Sequence, residues 1–198
     1  MIDSPILPFV FDHPLRTARL TLRLMTPADT EDVFAYQSRE DVCRYLLFDP
    51  RTRDEVAAKV AEHSHANTLA TDGDYLQLAV EWDRGDGTPA RVIGDSYFTI
   101  ASVEHSHGEI GWTLHPDFAR HGYAHEAAAA VLGIAFGIIG LHRVHAELDP
   151  RNASSIALCK RLGMREEAFF HEDMYFKGAW ADTGVYGLLR REWLAART

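Results

Sequence analysis

Short stretches of the chain alternate between hydrophobic and polar residues, or carry several β-branched and aromatic residues in a row. Both patterns are typical of β-strands, and turn-forming residues separate the stretches, as in the Asp-Arg-Gly-Asp-Gly segment at 83–87. The sequence therefore predicts strands over residues 19–24, 75–82, 91–100, 109–114, 143–148, 169–176 and 184–190.

Other stretches are bounded by residues that favour helix ends. Thr26 is a suitable N-cap and is followed by proline, and Thr52 forms a capping box with Glu55. Gly140 and Gly163 are placed to end two further helices. The sequence thus predicts helices after Thr26 and Thr52 and over residues 122–139 and 152–162.

The order of the elements, β-α-α-β-β-β-α-β-α-β-β, places a run of adjacent strands before an alternation of strands and helices. This order predicts an α/β (α+β) fold with a mixed, mostly antiparallel sheet of six to seven strands flanked by helices. The strands on either side of the alanine-rich helix 122–139 would form a parallel pair. We expect an N-terminal arm over residues 1–17 and a single domain over residues 18–198.

Composition narrows the class of protein. A net charge of −9 argues against a nucleic-acid-binding protein. The two cysteines, Cys43 and Cys159, form no CxxC motif, which favours the cytoplasm. No basic signal sequence begins the chain, and the apolar run 127–141 is shorter than the roughly 20 residues that span a bilayer, so no membrane association is expected. The 11 histidines have no Cys or carboxylate partners at a zinc-binding spacing, so no metal is expected.

Two segments carry the candidate chemistry. Residues 120–127 read Arg-His-Gly-Tyr-Ala-His-Glu-Ala and form a small-residue loop that opens into the alanine-rich helix. Unpaired amides at the positive end of a helix suit a phosphate or pyrophosphate. Residues 149–155 read Asp-Pro-Arg-Asn-Ala-Ser-Ser and place polar side chains at the start of the next helix.

Taken in order, these segments resemble the GNAT acyl-coenzyme A-dependent N-acyltransferases, and more narrowly the RimJ/RimL-type group. The resemblance extends over residues 17–193. It rests on the opening strand 17–23, the hairpin segments 92–94 and 109–112, the loop 122–127, Asn152 with Ser155, the turn 162–164, the hairpin 176–180 and Tyr186.

The resemblance implies that acetyl-CoA binds between two splayed parallel strands. Pantetheine would pair with backbone groups of one strand, the pyrophosphate would lie on the loop amides, and a primary amine would attack the thioester directly in a ternary complex. The implied cofactor-binding residues are Trp112, Thr113, Leu114, Arg120, His121, Gly122, Tyr123, Ala124 and Asn152.

The sequence departs from the family pattern at two places. The loop pattern begins with Arg or Gln, where this chain has Ala119, and Arg120 stands where glycine is frequent. Backbone amides do not require those side chains, and Arg120 adds a cation for a phosphate. Cys159 stands where many GNAT enzymes have a general-acid tyrosine, and in the RimL-like pattern Ser155 takes that role. As a buried helix cysteine, Cys159 is not expected to act as a nucleophile.

Glu109 is the candidate general base, acting through water, because its strand leads into the cofactor loop. Glu172 and Tyr175 lie on the last hairpin and are the candidate substrate-binding residues. The RimL-like pattern has a glutamate in this region that an ungapped count places on Met174, with Glu172 or Asp173 as its substitute.

Several readings of the function remain open. The acceptor would be a protein N-terminal α-amine or a small-molecule amine. Alternatives are acyl transfer from another donor such as succinyl-CoA, and a non-catalytic acyl-CoA-binding module. A Rossmann-type nucleotide site is disfavoured because no Gly-x-Gly-x-x-Gly follows the first strand. Dimers are common in the resembled group, so a homodimer is an open expectation.

Overall fold

A computed structural model describes residues 5–197 of the chain. Its strands are β1 (Phe9–Val10), β2 (Leu15–Arg16), β3 (Leu20–Leu24), β4 (Thr68–Leu69), β5 (Tyr75–Trp82), β6 (Arg91–Ser102), β7 (His107–Leu114), β8 (Arg143–Leu148), β9 (Arg165–Phe176) and β10 (Ala179–Leu189). Its α-helices are α1 (Thr30–Gln37), α2 (Glu40–Cys43), α3 (Arg53–His63), α4 (Tyr123–Leu132), α5 (Ala153–Arg161) and α6 (Arg190–Ala195).

The main sheet has eight strands in the order β2-β3-β5-β6-β7-β8-β10-β9. Its neighbouring strands are antiparallel except β7 and β8, which pair in parallel. The predicted mixed, mostly antiparallel sheet with its parallel pair is therefore confirmed. The sheet exceeds the predicted six to seven strands because the two-residue β2 pairs with β3 through Leu15 and Leu22.

Two hydrophobic clusters lie on opposite faces of the sheet, since successive residues of a strand point to opposite sides. Ile93 belongs to the larger cluster, under α4, whereas the preceding Val92 belongs to the smaller one, under α1 and α3. Helices therefore cover both faces of the sheet.

The segment before Thr17 lies against this domain. Of residues 1–17, set apart as an arm in the sequence analysis, residues 1–4 lie outside the described part of the chain. β1 pairs with β4, β2 pairs with β3, and the Phe11 side chain is buried in the larger cluster.

The alanine-rich helix starts after Gly122 and continues from α4 into a π-helical segment, Gly133–Ile139. Gly140 ends it with a φ of 80°, a left-handed conformation that glycine adopts without steric cost. Within residues 5–197, no helix is both long and apolar enough to cross a membrane.

Candidate active site

The parallel strands β7 and β8 separate partway along their length. They pair at His107 with Arg143, at Gly108 with Val144 and at Glu109 with His145, and their pairing ends there. On its other edge, β7 stays paired with β6 as far as Leu114. The edge of residues 110–114 that faces β8 is therefore open to a ligand that pairs with backbone groups.

A cavity of about 280 Å³ lies at this opening. Its lining includes seven residues that the sequence analysis assigned to the cofactor or to catalysis, namely Trp112, Thr113, Leu114, Arg120, Ala124, Asn152 and Ser155. Asp41, Val42, Tyr45 and Leu46, from α2 and the segment after it, close another side. The structure thus brings the two predicted segments together at the end of β7.

The loop at residues 119–123 has a backbone shape suited to an anion. Arg120 and Gly122 have φ angles of 66° and 85°, while the intervening His121 has a negative φ. This alternation turns successive amides toward one side. The first bond within the helix runs from the Glu126 N–H to the Gly122 carbonyl, so the preceding amides are the orphan donors of a helix start.

Arg19, just before β3, holds this loop in place through hydrogen bonds to Glu126 and to the His121 backbone. Its Nε donates to the Glu126 carboxylate at 2.7 Å and its Nη1 donates to the His121 carbonyl at 2.9 Å. The same guanidinium lies 4.5 Å from the centroid of the Tyr123 ring. The cavity lining does not include His121, Gly122 or Tyr123. Arg19 instead holds the His121 backbone and the Tyr123 ring against the rest of the domain. Arg19 lies in the segment 17–23 that carries the family resemblance, but this role is not predicted from the sequence.

A buried polar network supports the middle of the site. The carboxylate of Asp95, which pairs with Thr113 across β6 and β7, accepts hydrogen bonds from the Tyr36 hydroxyl and the Gln77 amide, both at 2.7 Å. Burial raises the pKa of Asp95 despite these bonds. The network ties α1 and β5 to β6, which pairs with the strand that borders the cavity.

Ser155 is oriented by two groups from the predicted site. The Trp112 indole Nε1–H donates to Ser155 Oγ at 3.3 Å, and the Ser155 backbone N–H donates to Asn152 Oδ1 at 3.1 Å. Asn152 is therefore the N-cap of α5. Since Ser155 Oγ accepts from Trp112, its own hydrogen is available to a partner in the cavity.

Glu109 lines a second, smaller cavity of about 120 Å³. Glu147, Leu148, Met174 and Phe176 also line it, and Tyr45 lines both cavities, which are therefore neighbours. Burial raises the pKa of the Glu109 carboxyl, the nearby His145 lowers it, and Glu147 raises it further. A carboxyl with a raised pKa in a cavity suits proton transfer near neutral pH.

Glu172 and Tyr175, the predicted substrate-binding residues, do not line either of these two cavities. Between the pairs Phe170–Thr183 and Met174–Ala181, β9 uses more residues than β10, and this bulge carries Glu172 outward with a φ of 48°. Tyr175 is exposed and packs edge-on against Trp180. Met174, on which the ungapped count falls, and Phe176 line the smaller cavity.

The Cys159 side chain is fully buried, and burial raises its pKa to about 12. Such a thiol is not ionised near neutral pH and is not a nucleophile. Among the residues that the structure describes, no group of three or more His, Cys, Asp or Glu side chains is arranged to hold a metal ion.

Residues 19–165 match the sequence profile described as "Acetyltransferase (GNAT) domain". The chain belongs to the GNAT acetyltransferase family. One relative, the uncharacterized N-acetyltransferase YnaD of Bacillus subtilis (strain 168), is 30% identical over 184 residues, which cover 90% of this chain and 98% of the relative.

Solved structures of GNAT proteins share the fold. A GNAT-family acetyltransferase from Bacillus anthracis superimposes with a TM-score of 0.79 at 27% identity, covering 90% of this chain and 99% of that one. A spermidine N-acetyltransferase from Vibrio cholerae, in complex with CoA and spermine, superimposes with a TM-score of 0.73 at 20% identity, covering 90% and 99%. The second similarity concerns the fold alone. As a GNAT member, the protein is an acyl-CoA-dependent acetyltransferase.

Proposed function

We propose that this GNAT enzyme transfers the acetyl group of acetyl-CoA to a primary amine by direct attack in a ternary complex. One observation carries the proposal. The open edge of β7, the loop residues Arg120 and Ala124, and Ser155 line one cavity, and Glu109 lines the adjoining one. Donor and acceptor can therefore meet where β7 and β8 separate.

The donor side is assigned to backbone groups. The pantetheine arm would pair with the free edge near Trp112, Thr113 and Leu114, and the pyrophosphate would lie on the amides from Arg120 to Ala124. Asn152 would hydrogen-bond the arm near its thioester end. Arg120 also lines the cavity, where its guanidinium would neutralise a phosphate.

The acceptor side is assigned to the smaller cavity. An ammonium group must lose a proton before it attacks, which at pH 7 costs about 1.4 kcal/mol for an α-amine and about 4.6 kcal/mol for a lysine-like amine. Glu109 would take that proton, directly or through water. A carboxyl with a raised pKa is a better acceptor for this purpose than an ordinary one.

Attack forms the carbon–nitrogen bond and breaks the carbon–sulfur bond of the thioester. The departing thiolate gains a proton from Ser155, whose hydroxyl is oriented by Trp112, and the second proton lost by the nitrogen of the adduct restores that hydroxyl. One proton per turnover is released to solvent. The acceptor would be a protein N-terminal α-amine or a small-molecule amine, as in the RimJ/RimL-type group.

The test is calorimetric titration with acetyl-CoA, succinyl-CoA and free CoA, followed by thiol-release assays on a panel of amines and N-terminal peptides. We expect acetyl-CoA to bind and to be consumed only in the presence of an acceptor. Preference for succinyl-CoA would reassign the donor. Binding without turnover on any acceptor would indicate a non-catalytic acyl-CoA-binding module. The cytoplasmic location and the homodimer remain predictions for fractionation and sedimentation.

A further inference from the structure

His145 lies on β8 at the last paired position before the strands separate, opposite Glu109. Its side chain is buried, and its ring Nδ1 lies 3.0 Å from the Gly108 carbonyl oxygen. A carbonyl oxygen only accepts hydrogen bonds, so Nδ1 carries a hydrogen. The other ring nitrogen, Nε2, is therefore the atom at which His145 gains or loses a proton.

Nε2 faces two carboxylates. It lies 3.5 Å from Glu147 Oε1 and 4.0 Å from Glu109 Oε2. With a hydrogen on Nδ1, a neutral imidazole would present only a lone pair to these negative groups. The arrangement is favourable when a proton lies on Nε2 or on one of the two carboxyls. The three groups thus form a site for one proton beside the acceptor cavity.

Within residues 5–197, the other groups around His145 do not supply a competing positive charge next to it. The His107 ring, on β7, lies 4.6 Å from the His145 ring, and its Nε2 lies 2.8 Å from Arg143 Nη1. Burial, together with the charges of His145 and Arg143, lowers the pKa of His107 to about 4, so His107 is neutral near pH 7. Arg143 is itself paired with Glu167, and the β10 partner of His145 is Gly187.

We infer that His145 is a positioning residue that keeps Glu109 ionised and holds the proton that Glu109 takes from the acceptor amine. This inference rests on the proposed function. In the step, the amine N–H bond breaks and its proton passes to a Glu109 oxygen, while the imidazolium between Glu109 and Glu147 releases its Nε2 proton to solvent. The proton on Glu109 then passes through water across the 4.0 Å gap to the vacated Nε2, which restores the imidazolium and the Glu109 carboxylate. The restored carboxylate is ready for the next ammonium group.

The test uses two variants that change the charge around Glu109 in opposite directions. His145→Gln removes the imidazolium, so the pKa of Glu109 should rise, whereas Glu147→Gln removes a repelling carboxylate, so it should fall. A charge at this distance shifts a carboxyl pKa by about one unit or more. His107→Gln is the matched control, because the His107 ring is neutral and its replacement should leave Glu109 unmoved.

The first readout is the carboxyl titration of Glu109 in ¹³C-glutamate-labelled protein, assigned with Glu109→Gln. The second is the pH profile of kcat/KM, whose acid limb should move by about one pH unit upward in His145→Gln and downward in Glu147→Gln, with about a tenfold rate change per unit below the limb. If His145→Gln lowers kcat/KM by the same factor at every pH and leaves the pKa of Glu109 unchanged, His145 is a purely structural strand residue.

The titration needs no substrate, so it separates the two ideas. Opposite shifts of Glu109 without turnover of any amine would support the proton site and overturn the proposed function. Turnover by the wild-type enzyme, with no change in the pKa of Glu109 in either variant, would support the proposed function and overturn the proton site. If His145→Gln fails to fold, the downward shift in Glu147→Gln is still required, and its absence overturns the inference.

Discussion

Replacing Gly122 by alanine tests the assignment of the cofactor loop. Gly122 has a φ of 85°, and an added Cβ would lie 3.3 Å from Arg19 Nη2, a flexible side-chain tip. Holding a non-glycine residue in this left-handed conformation costs about 1–2 kcal/mol. We therefore expect Gly122→Ala to unfold at a lower temperature, by roughly 2–4 °C per kcal/mol for a chain of this size.

Gly73 provides a matched control. Its φ is 86°, and a Cβ added there would meet no heavy atom within 4 Å. It lies in the turn before β5, where its N–H donates to the Ile100 carbonyl, away from the loop. Gly73→Ala should therefore carry a similar backbone cost and a similar loss of stability, with no effect on the ligand.

Affinity should distinguish the two variants. A Cβ at Gly122, or the backbone shift that relieves its strain, would prevent close approach of a phosphate to the loop amides. Losing the equivalent of one hydrogen bond to a charged group, about 2–3 kcal/mol, corresponds to roughly 30- to 150-fold weaker binding of acetyl-CoA. Gly73→Ala should bind acetyl-CoA as the wild type does.

Calorimetry with two ligands makes this prediction specific. S-acetyl-pantetheine lacks the pyrophosphate, so Gly122→Ala should bind it with wild-type affinity while binding acetyl-CoA weakly. The reasoning is refuted if Gly122→Ala binds acetyl-CoA as tightly as Gly73→Ala, or if its affinities for both ligands fall by the same factor.

Three further substitutions probe separate parts of the site and fold. Ser155→Ala should lower kcat by about tenfold or more with little change in acetyl-CoA affinity, and an unchanged kcat in a thiol-release assay would remove its acid role. Arg19→Lys should weaken acetyl-CoA binding several-fold by calorimetry, because a single ammonium cannot replace a guanidinium that contacts both the Glu126 carboxylate and the loop; unchanged affinity would make the clamp irrelevant to binding. Burial raises the pKa of Asp29, but the two hydrogen bonds from the Arg23 guanidinium outweigh it and hold this pKa below its ordinary value. The pair therefore stabilises the fold at pH values above the unfolded-state pKa of Asp29, and this stabilisation is lost as the pH falls through its folded-state pKa. Asp29→Asn should thus cost about 1.5–3 kcal/mol in urea unfolding at pH 7 and progressively less below about pH 4, and a pH-independent difference would contradict this account.

Elements with a clear period and strong boundaries were predictable from the sequence. β5 and β8 were predicted to the residue, because alternating or continuous apolar stretches end there at turn residues. β1, β2 and β4 have two residues each, too few to show any period, and they exist only because a partner strand pairs with them. β9 begins before its predicted start because it is held by the hairpin with β10 and not by its own polar sequence.

In the candidate site, too, features that depend on local sequence were predictable, and features that depend on strand pairing were not. A loop that binds through its amides needs only small residues and a helix start in the right order, and these are local features of the sequence. The bulge that removes Glu172 from the cavity depends on the register of β9 against β10, which no local pattern records. The His145–Glu109 pair likewise depends on which residues of two distant strands stand opposite each other.

The two sides of the site are therefore under different constraints. The proposed donor side consists of the free edge of β7 and loop amides, which many side-chain substitutions would leave intact, so relatives at about 30% identity could keep it. The proposed acceptor side is lined by the side chains of Glu109, Glu147, Met174 and Phe176, and each substitution there would change charge or shape. If these walls select the acceptor, as proposed, specificity within the family can change without disturbing the fold or the donor site.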